Sequence, residues 1–78
     1  VYEPKLALFG GLTGFKEIKK TIENSARLLK YNGKLIIEIG HKQKNETIKI
    51  LLKNGFYINK ICKDFSGKDR CIVNTKIN

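Results

Sequence analysis

Residues 33–41 read Gly-Lys-Leu-Ile-Ile-Glu-Ile-Gly-His and hold the one nearly unbroken apolar run in the chain. An apolar run of this length that does not alternate with polar residues suits a strand buried on both faces, as in an α/β sheet. A glycine stands at each end, and one carboxylate, Glu38, interrupts the run. Ligands of open α/β sheets bind beyond the carboxyl ends of such strands. Glu38, Gly40 and His41 are therefore placed where chemistry could occur.

Amphipathic patterns flank this strand. In residues 15–31, Phe15, Ile18, Ile22, Ser25, Ala26 and Leu29 recur at three- and four-residue steps, which predicts a helix with one apolar stripe. Thr13 is the expected N-cap, and Asn32-Gly33 the stop, a pair suited to left-handed backbone angles. A second helix is expected over residues 43–54, with Ile48, Leu51 and Leu52 as its stripe and Gly55 as its C-cap. Residues 56–63 and 70–76 read as strands. The polar turn between them, around Ser66-Gly67, predicts an antiparallel hairpin. Residues 1–14 are expected to be an irregular lead-in, in which Pro4 drives Glu3 extended. Gly10, Gly11 and Gly14 could be taken for a phosphate cradle. That motif needs a strand immediately before it and G-x-G-x-x-G spacing, and neither is expected here.

Seventy-eight residues make at most one small domain, marginally stable alone, or a piece of a larger one. The first residue is Val1, so a fragment or processed product is expected. No stretch reaches the roughly 18 apolar residues of a membrane span, and no signal-peptide pattern opens the chain; the cytoplasm is the simplest compartment. The net charge of +9 reads either as attraction to a polyanion or as the drift of an AT-rich genome. Lysine dominates and is scattered, while arginine, the usual reader of bases and phosphates, occurs only as Arg27 and Arg70. Drift is the simpler reading. Cys62 and Cys71 lack zinc-knuckle spacing. They are expected to be half-buried thiols on neighbouring strands, and no metal site is expected.

Few side chains offer reactivity. There is one histidine, His41, expected as a polar residue at a helix start, and no G-x-S-x-G elbow. A glutamate inside an apolar strand is costly unless partnered. Glu38 is therefore expected to bond the lead-in loop, to pair with a lysine, or to hold a polar ligand at the sheet's edge. Asp64, Asp69 and Arg70 are expected to tie the final hairpin with charge-assisted hydrogen bonds. From these residues alone no complete active site emerges.

The order of short motifs is more specific. Tyr2-Glu3-Pro4 is followed by Ala7-Leu8 and Gly10-Gly11. Then come Leu29-Lys30 with Gly33, the set Leu35, Glu38, Gly40 and Gln43, then Gly55-Phe56, and finally Lys63-Asp64, Gly67 and Asp69-Arg70. Along essentially the whole chain this series resembles the carboxyl-terminal part of the release factor glutamine methyltransferases of the HemK type. Tyr31 and Asn32 stand where that family commonly has Pro-Gly, Thr13 where an acidic residue is usual, and Phe15 where leucine is common. The resemblance implies an α/β fold over residues 1–78. This would be the carboxyl-terminal portion of a Rossmann-like S-adenosylmethionine-dependent methyltransferase, in the order helix, strand, helix, strand, strand, with an antiparallel final hairpin. It implies that strand 70–76 lies between 34–39 and 56–63, and that one edge of 34–39 has lost its parallel neighbour. It further implies an enzyme that, when intact, methylates a glutamine side chain of peptide chain release factors, its protein partners, with S-adenosylmethionine as cofactor. The family's Gly-rich cofactor loop, acidic ribose residue and Asn-Pro-Pro-Tyr segment have no counterpart in these residues, so no catalytic or cofactor residue is carried over and the piece alone is expected not to bind the cofactor. What the resemblance leaves is a substrate-pocket wall of Tyr2, Glu3, Pro4 and Glu38. The alternative is a basic nucleic-acid-binding module, or part of a methyltransferase acting on nucleic-acid amines.

Overall fold

The computed structural model describes residues 2–40 and 42–77, with the backbone alone for Tyr2 and Glu3. Its elements are β1 (Tyr2–Glu3), β2 (Leu6–Phe9), α1 (Phe15–Leu28), β3 (Lys34–Glu38), α2 (Lys44–Lys53), β4 (Phe56–Lys63) and β5 (Asp69–Lys76). They build one mixed sheet in the order β1-β2-β3-β5-β4. As the family resemblance implied, β5 enters antiparallel between β3 and β4.

Residues 1–14 depart from expectation. Leu6–Phe9 is a strand, hydrogen-bonded parallel to β3 with Leu6 opposite Lys34 and Phe9 opposite Ile37. The expected orphan edge of β3 is therefore paired. Four apolar residues between a proline turn and two glycines carry no periodicity of their own. What makes them a strand is the row of N–H and C=O groups on β3, which must find partners when buried. The lead-in then folds back, so that β1 pairs antiparallel with β2, Tyr2 opposite Ala7.

The helices start and stop by backbone capture. Gly14, not Thr13, is the N-cap of α1, with extended angles and no side-chain cap; the Thr13 hydroxyl turns to the Glu17 carboxylate 3.4 Å away. The helix ends at Leu28, three residues short of expectation. Leu29 goes extended, and the Lys30 N–H donates to the Pro4 carbonyl at 2.8 Å. Asn32 then takes the left-handed angle, φ 68°, and its N–H donates to the Lys76 carbonyl. The second helix ends at Asn54 and Gly55, the latter at φ 83°, as a glycine C-cap allows at no steric cost.

One face of the sheet carries the core. Ile18 and Ile22 of α1 and Leu51 of α2 pack with Ala7, Leu35, Ile37, Phe56 and Ile72, all essentially fully buried. Alternation sends Leu8, Ile36 and Val73, aligned in one row across β2, β3 and β5, to the opposite face, which neither helix covers. Leu8 is 42% exposed there. Among the described residues no helix is long and apolar enough to cross a membrane.

Polar groups in the core are unevenly satisfied. The Asn74 amide donates to the carbonyls of Leu35 and Ile72. The hydroxyl of Thr47, a fully buried residue on α2, meets no partner. An unpaired buried hydroxyl costs about 1–3 kcal/mol, and valine has the same shape and similar helix propensity. Thr47→Val is therefore expected to raise stability by about 1 kcal/mol in urea melts; a loss of stability there would place an unseen partner on that hydroxyl.

Candidate functional site

The carboxyl ends of β2 and β3, the start of α2 and the β4–β5 hairpin meet at one end of the sheet. Beyond β3, the Ile39 N–H donates to the Arg70 carbonyl, which fastens the strand end to the hairpin. The Gly40 N–H donates to Gln43 Oε1 at 2.6 Å, which shapes the turn into α2. His41 lies outside the described residues.

Asp64 organises the hairpin. Its Oδ1 accepts from the N–H groups of Ser66 and Lys68, at 2.8 and 2.9 Å. Its Oδ2 accepts from Arg70 Nε at 2.8 Å. Gly67, at φ 82°, completes the turn. The Lys68 amide first, and then the Arg70 guanidinium, hold the Asp64 carboxyl below the usual aspartate range. Asp69 joins the hairpin to α2, with Lys63 Nζ at 2.8 Å and Lys44 Nζ at 3.3 Å. Hydrogen bonding from Lys63 leads in holding its carboxyl low as well.

These two shifts fix a sign for the pH dependence. Each carboxyl has a lower pKa folded than unfolded, so its contribution is present above the unfolded value of about 3.9 and is lost as pH falls through the folded value. The melting temperature is expected to decline below about pH 4, and less steeply in an Asp64→Asn, Asp69→Asn variant. Equal slopes in acid-range thermal melts would contradict the assignment.

Between hairpin and helix lies a cleft of about 460 Å³ whose lining includes Lys42, Lys44, Lys68 and Arg70 around Gly40 and Gly67, with Asp69 the carboxylate among the lining residues. Its electrostatic character is that of an anion receptor. The sequence had marked the hairpin's aspartates and Arg70. It had not marked Lys42 and Lys44, which come from the turn into α2 and meet the hairpin only through the fold. Nor had it marked the exposed Phe65 at the tip. The run Asp-Phe-Ser-Gly-Lys, an Asx-turn signature, was the available signal for that tip.

The four residues expected to wall a pocket do not gather. Glu38 sits at the carboxyl end of β3, where its carboxylate lies over Gly10; a Cβ on Gly10 would come 1.8 Å from Glu38 Oε1. Pro4 precedes β2 at the other end of the sheet, against Lys30 and Gly33. Four residue steps along β3 separate those ends by about 13 Å. Glu38 thus braces the turn after β2 rather than the Tyr2-Glu3-Pro4 segment. The side chains of Tyr2 and Glu3 lie outside the described residues. On the helix-free face, Cys62 and Cys71 are direct cross-strand neighbours and free thiols. Burial, and then the Cys62 thiol beside it, push the Cys71 thiol up.

The residues at this end of the sheet offer S-adenosylmethionine no cradle. The glycines after β2 do follow a strand, contrary to expectation, but Gly10, Gly11 and Gly14 lack the G-x-G-x-x-G spacing, and the Glu38 carboxylate lies over Gly10. The cleft between hairpin and α2 offers the cofactor's sulfonium and ammonium groups one carboxylate, Asp69, which Lys44 and Lys63 already engage. The described residues do not fit the cofactor.

No family model matches the chain. Individual relatives do. A bifunctional methyltransferase of Rickettsia felis is 39% identical over 77 residues, 99% of this chain and 15% of the relative. Release factor glutamine methyltransferases of Thermodesulfovibrio yellowstonii and Fusobacterium nucleatum are 38% and 42% identical over 92% and 96% of this chain. The chain spans 26% and 21% of those two proteins, so it corresponds to a minor part of each. Among solved structures, a release-factor-specific protein-(glutamine-N5) methyltransferase from Alicyclobacillus acidocaldarius superposes with a TM-score of 0.64 and 23% identity, over 83% of this chain and 42% of that one; this likeness establishes the fold. Over nearly its whole length the chain is thus homologous to part of the release factor glutamine methyltransferases, and it carries the corresponding part of the methyltransferase fold.

Proposed function

We propose that residues 1–78 act as the scaffold segment, carboxyl-terminal to the cofactor-binding half, of an S-adenosylmethionine-dependent enzyme of the cytoplasm that methylates the side-chain amide nitrogen of a glutamine in peptide chain release factors. The observation that carries this reading is similarity to release factor glutamine methyltransferases along nearly the entire chain. Two features of the site agree with it. Doubly wound sheets bear helices on both faces, and here only one face is covered, which leaves the row Leu8, Ile36 and Val73 for elements outside this segment. The described residues also do not fit the cofactor, so its site would lie in that remainder.

An amide nitrogen is a poor nucleophile. Catalysis in such an enzyme rests on holding it against the methyl donor, and positioning can supply several kcal/mol of the barrier. This segment's share of that work is rigidity. Antiparallel insertion of β5 fixes the backbone at the carboxyl end of β3, from which the Glu38 side chain would wall the substrate pocket at the sheet's ligand-binding end. Tyr2-Glu3-Pro4, at the opposite end of β2, would act only as scaffold, through the pairing of β1 with β2.

The test is a mass measurement. The full-length protein containing this segment is incubated with S-adenosylmethionine and a bacterial release factor, and the factor is digested. A single methyl group on a glutamine-bearing peptide is expected. Methyl transfer to adenine in DNA, with the release factor unmodified, would replace this reading with the nucleic-acid branch.

A further inference from the structure

Phe65 is the most exposed apolar side chain among the described residues, at 112% of its reference exposure. It stands on the tip of the β4–β5 hairpin, in a turn where the Asp64 carboxylate accepts from the N–H groups of Ser66 and Lys68 and from Arg70 Nε. Two residues on, at Gly67 and Lys68, the same turn lines the basic cleft that also holds Lys42, Lys44 and Arg70. Lys44 and Arg70 each have a carboxylate partner. Among the described residues, Lys42 and Lys68 have none within ion-pair distance, and both are exposed. Asp64 and Asp69 are thus already engaged by cations, and positive charge is left over around the cleft.

A protein interface of ordinary affinity is built around an apolar centre. Phe65 has no such company: its chain neighbours are Asp64, Ser66, Gly67 and Lys68, and the cleft beside it is lined by charged and small residues. A single presented aromatic face next to unpaired cations matches a different ligand, in which flat bases alternate with phosphates. We infer that the hairpin tip and the cleft form a docking surface for single-stranded nucleic acid, with Phe65 stacking on a base and Lys42 and Lys68 meeting adjacent phosphates. This surface is independent of the methyltransferase reading, because it uses neither the helix-free sheet face nor Glu38.

Fluorescence anisotropy tests it, with the intact chain titrated into a fluorescein-labelled oligouridine of roughly 12 nucleotides, within the site sizes of single-strand binders. Saturable binding at low salt is expected, weakening as salt rises. Phe65→Ala should weaken it by about tenfold while leaving the thermal melt unchanged, and Phe65→Tyr should restore it. A Lys42→Gln, Lys68→Gln variant should reduce the slope of log affinity against log salt by about 1.4, two single-strand phosphates' worth. No binding at low salt overturns the proposal. So does affinity indifferent to Phe65→Ala, or equal affinity for a duplex of the same length, whose base faces are hidden. Polyglutamate competing as well as unlabelled oligouridine would assign the surface to acidic proteins instead and equally overturn it.

Discussion

Replacing Phe56 by alanine is expected to remove most of the stability of this fold. Phe56 begins β4 directly after the Gly55 cap, is 1% exposed, and is the largest fully buried side chain among the described residues. It packs with Leu35, Ile37 and Ile72 from the sheet and with the buried residues of both helices in a single cluster. Truncating a buried phenylalanine costs about 3–5 kcal/mol, part lost transfer energy and part cavity. A domain of this size has a total of about 4–12 kcal/mol to lose. Phe56→Ala should therefore lower the melting temperature by more than about 12 °C, or leave the chain unfolded at room temperature. Tyr57→Ala, one residue on and 57% exposed on the other face, should change stability by about 0.5 kcal/mol or less. Similar melts for the two variants would mean that the core does not lie on the helix side of the sheet.

Gly33→Ala should be the next most damaging change. Its φ is not in the left-handed region, so the cause is space. An added Cβ would sit 2.9 Å from the Lys30 carbonyl oxygen, 3.2 Å from a Leu29 methyl and 3.3 Å from the Pro4 carbonyl oxygen. Neither carbonyl can yield cheaply. Lys30 O accepts the Gly33 N–H, and Pro4 O accepts the Lys30 N–H, each at 2.8 Å. Gly33 O also holds the Lys76 N–H at 2.8 Å. The substitution thus strains the point where the lead-in, the end of α1 and the end of β5 meet. Overpacking of this kind costs about 1–3 kcal/mol. Gly10→Ala is the informative contrast. Its Cβ would meet a flexible carboxylate end, that of Glu38, which can swing aside, so a loss well below that of Gly33→Ala is expected in parallel denaturant melts. The reverse order would show that Glu38 is held rigidly over Gly10.

Which parts were legible in the sequence follows the range of the forces involved. The stripe Ile18–Ile22 and the stop at Gly55 are local signals, and both hold in the structure. The hairpin between β4 and β5, with Cys62 and Cys71 on its two neighbouring strands, follows from one short glycine turn; their direct cross-strand register comes from the structure. The insertion of β5 beside β3 was not readable from local pattern and came from the family resemblance. Leu6–Phe9 was missed because its strand character depends on β3, some thirty residues away in sequence, and on nothing in its own spacing. The early end of α1 has the same origin, since a carbonyl at Pro4 captures the backbone that periodicity would have kept helical. At the candidate site, Asp64 with Arg70 was readable from proximity in sequence. Lys44 reaching Asp69 was not, and Glu38 meets the lead-in at Gly10 and not at Tyr2-Glu3-Pro4.

Calorimetric titration with S-adenosylmethionine, run on the 78-residue chain and on the full-length protein that contains it, tests the division between scaffold and chemistry most directly. Saturable one-to-one binding is expected for the full-length protein, and no saturable heat for the segment alone. Stoichiometric micromolar binding by the segment, or none by the full-length protein, would contradict the account.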